Sequence, residues 1–561
     1  MIGIKRPTWP MLGFILVLAF LVIYPLVMLF YGSFAGGGPG TTPDFSLKGY
    51  RAAFSDLGNY KVLWNTLWLS VIRTLCVMVL AIFLAWVVTR TNTPWSRGLE
   101  VLVWLVFIGL PLLPMTEAWI MLAGPNGFIN QALKIIFHLE QPLLNIYSYG
   151  GIIWVSTLFW ASIAFILITP AFRGMDASLE ESSRMSGAST LTTLRRITIP
   201  ALAPTLLGVT LMVFIRLLES FEIELLLGIR NGIFVYTTRV WILIGTVPSD
   251  YPQGMALSTV FLAFIFGLIV LNWKLLGQKQ YTTITGRGFA VRPTNLGRWK
   301  YITLGMVLLY FVIAFVLPFF ALILGSFMKI WGVWMEKPFT MANWILTIKD
   351  SRMPLSLLNT MVVSLGAATI GMLLYSIISY IVVKTDFQGK KILDFISWLP
   401  YSVPSLVLAL GFLWAYVGGI PVLHVLAGTI WLMMLAFIVR SMPLGCRVMN
   451  GSMYQLGKEL EESSRASGAS WFTTFRRILV PILSPAFIST WIILFVIAMR
   501  DLVTIIFLYS AKSRVISVIF LENWIVGEYE KATVVGVIMT VLALSGALIA
   551  RRIGAKQVIA A

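Results

Sequence analysis

The sequence predicts an all-α membrane protein of about twelve transmembrane helices, arranged as two parallel six-helix repeats. Three observations support this prediction: 58% of the 561 residues are hydrophobic, only 12% are charged, and one polar stretch occurs twice. A soluble protein of this size needs more polar surface than this composition provides, so the chain is expected to lie in a membrane.

The repeated polar stretch reads EESSRMSGASTLTTLRRITIPALAP at residues 180–204 and EESSRASGASWFTTFRRILVPILSP at residues 461–485. The two copies are displaced by 281 positions, which is the separation of Glu181 and Glu462. Long apolar runs flank both copies. The sequence therefore indicates a tandem duplication, with one polar loop in each half.

The first part of each loop has the pattern of a short helix. Residues 176–186 favour helix, and Glu180 precedes Arg184 by four positions, the supportive order for an ion pair. Gly187 is expected to end this helix, because glycine adopts the left-handed conformation that commonly follows a helix.

The second part of each loop predicts another short helix. Ser189 can accept a backbone N–H at its start, and Arg195 and Arg196 fall in its last turn, where cations are favoured. Pro200 is expected to end it. The resulting helix–turn–helix has a small, polar surface suited to docking against another protein.

The loop resembles the EAA loop of binding-protein-dependent ABC importer permeases. The pattern is a Glu, two small residues, a Gly six positions after the Glu, an apolar residue ten later and a Pro three beyond that. The matching positions are Glu181, Ser182, Ser183, Gly187, Ile197 and Pro200 in the first copy, and Glu462, Ser463, Ser464, Gly468, Ile478 and Pro481 in the second. Serines stand where the family has two alanines, which keeps the small volume.

The resemblance implies that each loop is a coupling helix seated in a groove of a cytoplasmic ATPase subunit. The glutamates would orient these helices, the glycines would permit their turns, and the prolines would fix the entry into the fifth spans. An ordinary amphipathic loop is the alternative that the residues leave open.

Twelve apolar stretches are long enough to span a bilayer. They lie near residues 11–30, 63–88, 99–123, 150–171, 202–227 and 255–273 in the first half, and near 302–325, 357–382, 392–417, 422–440, 482–509 and 534–550 in the second. An Asn-Thr pair near the start of the second span, Asn65-Thr66, recurs 294 positions later at Asn359-Thr360. Whole domains are therefore expected to be duplicated.

The predicted domains are a first permease domain at residues 1–275, a cytoplasmic linker at 276–300 and a second permease domain at 301–561. The loops occupy 176–200 and 457–481. The linker is basic, lacks apolar periodicity and contains Pro293, which is typical of a connecting segment.

The formal net charge of +19 does not indicate nucleic-acid binding, because the basic residues concentrate on the membrane side that holds both loops. By the positive-inside rule that side is the cytoplasm, and both termini share it. Residues 35–60 and 329–354 should face outward. We expect a multi-pass protein of the bacterial inner membrane whose first apolar run is retained as a span rather than removed as a signal peptide.

The motifs of common enzymes are absent from the sequence. It has no GxxxxGK[ST] phosphate-binding loop, no HExxH, no GxSxG and no CxxC. His138 and His424 lie in or near external loops, and Cys76 and Cys446 form neither a disulfide framework nor a metal cluster. The chain is therefore predicted to be a transport subunit without a cofactor or metal of its own, with ATP and Mg on a partner ATPase.

Charged residues occur within the predicted fifth span of each half. The pathway or gate candidates are Glu219, Glu222, Glu224, Arg500 and Asp501. Each charge in a span costs about 2.5 to 3.5 kcal/mol on insertion scales, so these groups should pair or face a wet pathway. The alternative role of these charges is structural ion pairing. For Arg73 in the second span, we expect either structural pairing or a side chain that extends to the membrane surface.

The 281-position displacement makes Glu219 equivalent to Arg500. Equivalent positions of duplicated domains face each other across a pseudo-two-fold axis, so we predict a salt bridge or water-mediated approach between them in the closed conformation. The alternative is local pairing, of Glu219 with Arg216 and of Arg500 with a neighbouring helix.

The fifth spans carry a second resemblance. Arg500-Asp501-Leu502 with Thr504, and Ser220-Phe221-Glu222, are similar to sequences of ferric-iron-type ABC permeases, where fused two-domain chains also occur. Thiamine, polyamine and phosphonate permeases share much of this pattern. The resemblance implies ferric iron as the leading solute, two copies of a cytoplasmic ABC ATPase, a periplasmic or lipid-anchored solute-binding protein, and contact with membrane lipid.

Two other classes must be weighed. A twelve-span secondary transporter also has six plus six parallel repeats, and a channel or structural membrane protein would work without any ATPase. Neither explains the duplicated loops, and co-purification of an ATPase subunit would discriminate among the three.

Overall fold

The computed structural model describes residues 9–42, 44–276, 293–333, 335–457 and 459–560. Within these ranges the regular elements are helices, and extended pairing is limited to isolated bridges. Ten helices are long and apolar enough to cross a membrane, and the number rises to twelve if each of two bent helix pairs counts as one span. The predicted all-α, polytopic class is confirmed.

The first half contains twelve α-helices. They are α1 Trp9–Phe34, α2 Lys48–Ser55, α3 Leu57–Arg90, α4 Ser96–Gly109, α5 Leu112–Ala123, α6 Phe128–Phe137, α7 Tyr149–Gly174, α8 Ala177–Met185, α9 Thr190–Thr193, α10 Ile199–Leu218, α11 Tyr236–Gly245 and α12 Tyr251–Leu276. Short turns of other helical types occur at Leu194–Thr198, Glu224–Gly228 and Ile229–Asn231.

The second half repeats this order with small differences. Its α-helices are α13 Trp299–Phe311, α14 Leu317–Phe327, α15 Ala342–Lys349, α16 Arg352–Lys384, α17 Lys390–Trp398, α18 Ser405–Val417, α19 Ile430–Tyr454, α20 Glu459–Ala466, α21 Trp471–Thr474, α22 Val480–Arg500, α23 Ile516–Ile525 and α24 Tyr529–Ala560. Its short turns lie at Val312–Val316, Leu399–Ser402, Pro421–Leu426 and Phe475–Leu479.

The third span of each half is broken, which corrects the prediction of continuous spans at 99–123 and 392–417. The chain bends by 98° between α4 and the segment Leu112–Phe137, and by 110° between the segment Lys390–Ser402 and α18. Pro111 and Pro404 stand at the breaks, and the residues before them are extended. Proline disfavours helical backbone in the preceding residue, so each span divides at this point.

The first span of each half packs against the other half. Helix α1 lies against α18, where the Tyr24 hydroxyl donates to the carbonyl of Ala415 at 3.3 Å. Helix α14 lies against α5 and α24, and the Tyr310 hydroxyl of α13 donates to the carbonyl of Leu158 at 2.8 Å. The two halves therefore share one core.

The repeated Asn-Thr pairs hold the short helices α11 and α23. The backbone N–H at the first residue of α11 donates to the Thr66 hydroxyl, and that of α23 donates to the Thr360 hydroxyl, each at 2.9 Å. The Asn65 and Asn359 amides donate to carbonyls in the chain just before these helices. Both copies thus use the same contacts to return the chain toward the second span.

The end of the predicted linker pairs with the first half. Thr294 donates its backbone N–H to the carbonyl of Arg90 at 2.8 Å and accepts from the N–H of Asn92 at 3.0 Å. Residues 277–292, which contain most of the linker, lie outside the described residues.

Candidate functional site

The first polar loop forms the two short helices that its sequence predicts. The carboxylate of Asp176 accepts from the N–H of Ser178 at 2.9 Å and caps α8. Gly187 has a φ of +84°, which allows the chain to turn after this helix. Ser189 then caps α9 by accepting from the N–H of Thr192 at 3.2 Å.

The second loop has the same geometry. Gly468 has a φ of +83°, and Ser470 accepts from the N–H of Thr473 at 3.2 Å. In both loops the second of the two small residues joins the helices, because Ser183 and Ser464 lie 3.0 Å and 2.8 Å from the hydroxyls of Thr193 and Thr474. The serines that replace alanines therefore have a structural role that the sequence pattern did not show.

Pro200 does not end the second loop helix, and this prediction was wrong. The chain stays helical from Thr190 to Leu218. A π-turn at Leu194–Thr198 precedes the proline, and the N–H of Ile199 donates to the carbonyl of Leu194. Because proline has no N–H to donate, this wider turn lets the helix pass the position where a regular hydrogen bond is missing.

The second copy passes its proline in the same way. A π-turn at Phe475–Leu479 precedes Pro481, and α22 continues directly from it. As a consequence, Arg195 and Arg196 lie within a continuous helix rather than in its last turn, and both are exposed. Each loop is thus joined to a fifth span without a break.

Glu180 makes different contacts from those expected on a helix surface. Its side chain is 3% exposed and lies 4.0 Å from Arg90 Nη1, and it accepts from the Thr198 hydroxyl at 2.6 Å. Arg184 donates to the backbone carbonyl of Glu180 at 3.2 Å instead of pairing with its carboxylate. The loop helix is therefore turned so that Glu180 points into the protein.

The second loop repeats this buried contact. Lys384 Nζ lies 3.7 Å from Glu461 Oε1, with side-chain exposures of 4% and 12%. The sequence pattern paired Glu180 with Arg184 and did not predict that Glu180 and Glu461 would meet Arg90 and Lys384 at the ends of the second spans. The signal was available, because Arg90 and Lys384 are separated by the same 294 positions as the Asn-Thr pairs.

The outward surface of the first loop is mixed. Met185 is 90% exposed and Leu191 is 73% exposed. Of the motif residues, Ser182, Gly187 and Pro200 are exposed, whereas Glu181 and Ile197 are half-buried. A short helix pair that exposes both apolar and polar groups is suited to binding another protein rather than to catalysis.

The charged residues of the fifth spans lie at the helix ends. Helix α10 ends at Leu218 and α22 ends at Arg500, so the predicted spans 202–227 and 482–509 are too long. Glu222, Glu224 and Asp501 therefore belong to the segments that connect these helices to α11 and α23. These charged side chains therefore lie just after the points where the two helices end.

Glu219 and Arg500 each have a local partner. Glu219 pairs with Arg216 Nη1 at 3.1 Å, and Arg216 lies over the Tyr401 ring of the other half at 5.3 Å. Arg500 Nη1 donates to the carbonyl of Phe107 at 2.5 Å. The structure does not bring the predicted Glu219–Arg500 pair together, and the arrangement corresponds to the local alternative.

The second half contributes a further ion pair to this region. Arg440 pairs with Asp501 and donates to the Thr504 hydroxyl at 2.6 Å. Glu222 lies within electrostatic reach of Asp501, Arg500 and Arg440. We call the region formed by Arg216, Glu219, Glu222, Arg440, Arg500 and Asp501 the charged junction, because it joins residues of both halves where the fifth spans end.

Glu224 belongs to a separate, fully buried pair. Its carboxylate pairs with Arg73, and both side chains have 0% exposure. Arg73 also donates to the carbonyl of Leu217 at 3.1 Å, and Glu224 accepts from the Ser220 hydroxyl at 2.7 Å. Of the two roles left open for Arg73, the structure shows structural pairing.

The described residues contain no group of three or more His, Cys, Asp or Glu side chains placed to hold a metal ion. In the charged junction, each carboxylate lies near at least one arginine. The charges of this region therefore offset one another within the protein.

Comparison of the sequence with known proteins shows that the chain is similar to transport permeases. A model of the family "Binding-protein-dependent transport system inner membrane component" matches residues 367–558. A ferric transport system permease protein of Actinobacillus pleuropneumoniae is 28% identical, over 95% of this chain and 76% of the relative. A putative ferric transport system permease protein of Haemophilus influenzae is 28% identical, over 91% and 79%.

Two further similarities cover less of the chain. A probable sulfate transport system permease protein of Anthoceros angustus is 28% identical over 33% of this chain and 68% of the relative. Among solved structures, a bacterial ABC transporter involved in the import of alginate aligns with 46% of this chain and 94% of its own, at 18% identity and a TM-score of 0.37.

The family match covers the second polar loop, and the duplication places an equivalent loop in the first half. Relatives with permease names extend over nearly the whole sequence. The chain is a multi-pass membrane permease whose residues 367–558 match the family of binding-protein-dependent transport system inner membrane components.

Proposed function

We propose that this chain supplies two permease domains of an ATP-driven importer, with ferric iron as its solute. The observation that carries the proposal is the pair of loops, each built with the same serine cap on its second helix, the same left-handed glycine and the same π-turn. Two equivalent docking surfaces call for two equivalent partner subunits.

The partners in this proposal are two copies of a cytoplasmic ABC ATPase, which bind ATP and Mg²⁺ themselves. One copy would dock on each loop. A periplasmic or lipid-anchored binding protein would deliver the solute to the opposite face. Both termini and both loops would then lie in the cytoplasm, as the distribution of basic residues indicates.

The continuous helix after each loop supports a direct mechanical link. The segment Thr190–Leu218 has 29 residues and would extend roughly 44 Å at 1.5 Å per residue. Its far end meets Glu219 in the charged junction. Movement of a loop by ATP-driven closure of the ATPase pair would therefore be transmitted along one helix to the region where the two halves meet.

Iron is favoured over sulfate by the extent of the similarity. The relatives named as ferric permeases match across both halves, whereas those named as sulfate permeases match 33–43% of this chain. The junction's carboxylates Glu219, Glu222 and Asp501 provide oxygen groups of the kind that a hard cation prefers.

Reconstitution tests the proposal. The tagged chain should co-purify with an ATPase subunit, and in proteoliposomes it should move radiolabelled Fe³⁺ only when the ATPase, ATP and the iron-loaded binding protein are all present. Radiolabelled sulfate with its own candidate binding protein is the matched control. Flux without an ATPase would refute the importer, and sulfate uptake in place of iron would refute the solute.

A further inference from the structure

The last turn of the second span in each half carries a buried base. Arg90 closes α3 and Lys384 closes α16, and their side chains are 0% and 4% exposed. A cation is favoured at the C-terminal end of a helix, but an unpaired cation does not normally remain buried there. Both residues therefore need fixed partners inside the protein.

Each base contacts the chain at the point where the polar loop begins. Arg90 Nη2 donates to the carbonyl of Met175 at 2.5 Å, directly after α7. Lys384 Nζ donates to the carbonyl of Leu456 at 2.7 Å, two residues after α19. Met175 and Leu456 are separated by the 281 positions of the loop repeat, so the two contacts are equivalent.

Each base also lies beside the first helix of the loop. Its charge partner is the glutamate that precedes the motif glutamate, Glu180 at 4.0 Å from Arg90 Nη1 and Glu461 at 3.7 Å from Lys384. The base thus joins the end of the second span, the end of the fourth span and the loop helix.

We propose that Arg90 and Lys384 are positioning residues that hold each loop to its second span, so that loop and span move as one unit when the ATPase pair closes. The inference rests on the proposed coupling function of the loops. Without the base, a loop could shift against the spans, and part of its displacement would not reach the charged junction.

Substitution of the base tests this role by separating transport from hydrolysis. Arg90→Met should leave the ATPase bound and active but lower the number of Fe³⁺ ions moved per ATP by about tenfold, within the usual range for loss of a coupling interaction. Arg90→Lys is the matched control, because lysine performs the same role in the second half. It should restore most of the ratio.

A distance measurement gives a second readout that needs no solute. Spin labels on Arg195→Cys and Arg476→Cys, which are exposed, equivalent positions, should report one narrow distance with the ATPase bound. The background should lack Cys76 and Cys446. Arg90→Met should broaden the distribution, whereas Arg90→Lys should leave it narrow.

A double variant tests the proposal even if the single variant does not fold. If Arg90→Met fails to accumulate because Glu180 is left buried and charged, Arg90→Met with Glu180→Gln removes both charges and still removes the bond to Met175. The double variant should show the same low ratio and broad distances.

The outcomes distinguish the two levels of the proposal. An unmodified chain that binds no ATPase would refute the coupling function itself. A chain that binds its ATPase, but whose Arg90 variants keep a normal transport ratio and narrow distances, would refute only the positioning role. An equal fall in transport and hydrolysis, with the ratio unchanged, would also refute it.

Discussion

The two halves of the chain are nearly the same at their loops and different where their fifth spans end. The first half places the buried pair Arg73–Glu224 beside its fifth span. The equivalent positions in the second half, displaced by 294 and 281, are Ala367 and Ile505, which are 1% and 4% exposed. The same fold thus tolerates a buried ion pair on one side and buried apolar side chains at the equivalent positions on the other.

This difference separates two requirements. In the proposed function, two identical partner subunits require two equal docking surfaces, whereas a single solute path between the halves can have unequal sides. In the second half the charge instead belongs to Arg440 and Asp501, on the fourth span and the end of the fifth. The asymmetry therefore lies in the junction and its supports rather than in the loops.

The largest effect is expected from breaking the buried pair. Arg73→Ala leaves Glu224 buried without its cation, which costs about 3–5 kcal/mol. The measurement is the midpoint of thermal unfolding of the detergent-solubilised chain, which should fall clearly. Arg73→Ala combined with Glu224→Ile copies the second half and should recover most of the loss. A single variant as stable as the unmodified chain would show that the pair is not structural.

The next largest effect concerns the loop turns. Proline fixes φ near −65°, whereas Gly187 and Gly468 have φ values of +84° and +83°. Gly187→Pro and Gly468→Pro should each abolish transport while the chain remains in the membrane and the ATPase still hydrolyses ATP. The measurement is transport and ATP hydrolysis by the same preparation of each variant. Normal transport by either variant would mean that its loop is not a coupling element.

Alanine provides the matched control for these turns. A Cβ at either position meets no atom within 4 Å, so only the left-handed backbone is penalised, by about 1–2 kcal/mol. Gly187→Ala and Gly468→Ala should therefore retain partial transport, and their equal effect would support equal loops.

The loop turns show what the sequence could predict, since φ near a glycine and capping by Asp176 or Ser189 depend on neighbours in the chain. Burial of Glu180 has no such local signal, because it depends on Arg90, which lies far away in sequence; its hint is the recurrence of that base at Lys384, 294 positions later. The breaks after Leu110 and Val403 could have been found from the prolines that follow them. The residues on both sides of each proline are apolar, so the composition favoured one continuous span and the prolines were not taken as breaks.

The predicted ends of the fifth spans were wrong for a related reason. The leucine-rich sequence after Glu224 has the composition of a continued span, yet the helix ends at Leu218, and Arg73 donates to the carbonyl of Leu217 just before that end. A side chain from another span thus satisfies a group that would otherwise continue the helix. Such long-range compensation has no local pattern.

A smaller effect is expected from exchanging charges across the junction. Glu219→Arg and Arg500→Glu should each reduce transport, because each removes a local contact, to Arg216 and to Phe107 respectively. If these contacts act separately, the double variant should be no better than the product of the single effects. Recovery of transport in the double variant would instead support a direct Glu219–Arg500 contact in the transport cycle.

The smallest effect is expected where the chain departs from the family loop. Ser183→Ala removes the 3.0 Å contact with the Thr193 hydroxyl and restores the second alanine of the pattern. Loss of one such hydrogen bond costs about 1 kcal/mol, and the bond lies within the loop rather than between the loop and a span. Transport per ATP should therefore change little, while the thermal midpoint falls slightly.

The other partner of that bond provides the control. Thr193→Val removes the same hydrogen bond from the opposite side, so it should have a similar effect, and the double variant should be no worse than either single change. Ser464→Ala should behave alike, because its contact with Thr474 is 2.8 Å long and equivalent in place. A large loss of transport from either serine change would mean that its hydroxyl contacts the partner subunit, because the internal bond alone is too weak to account for such a loss.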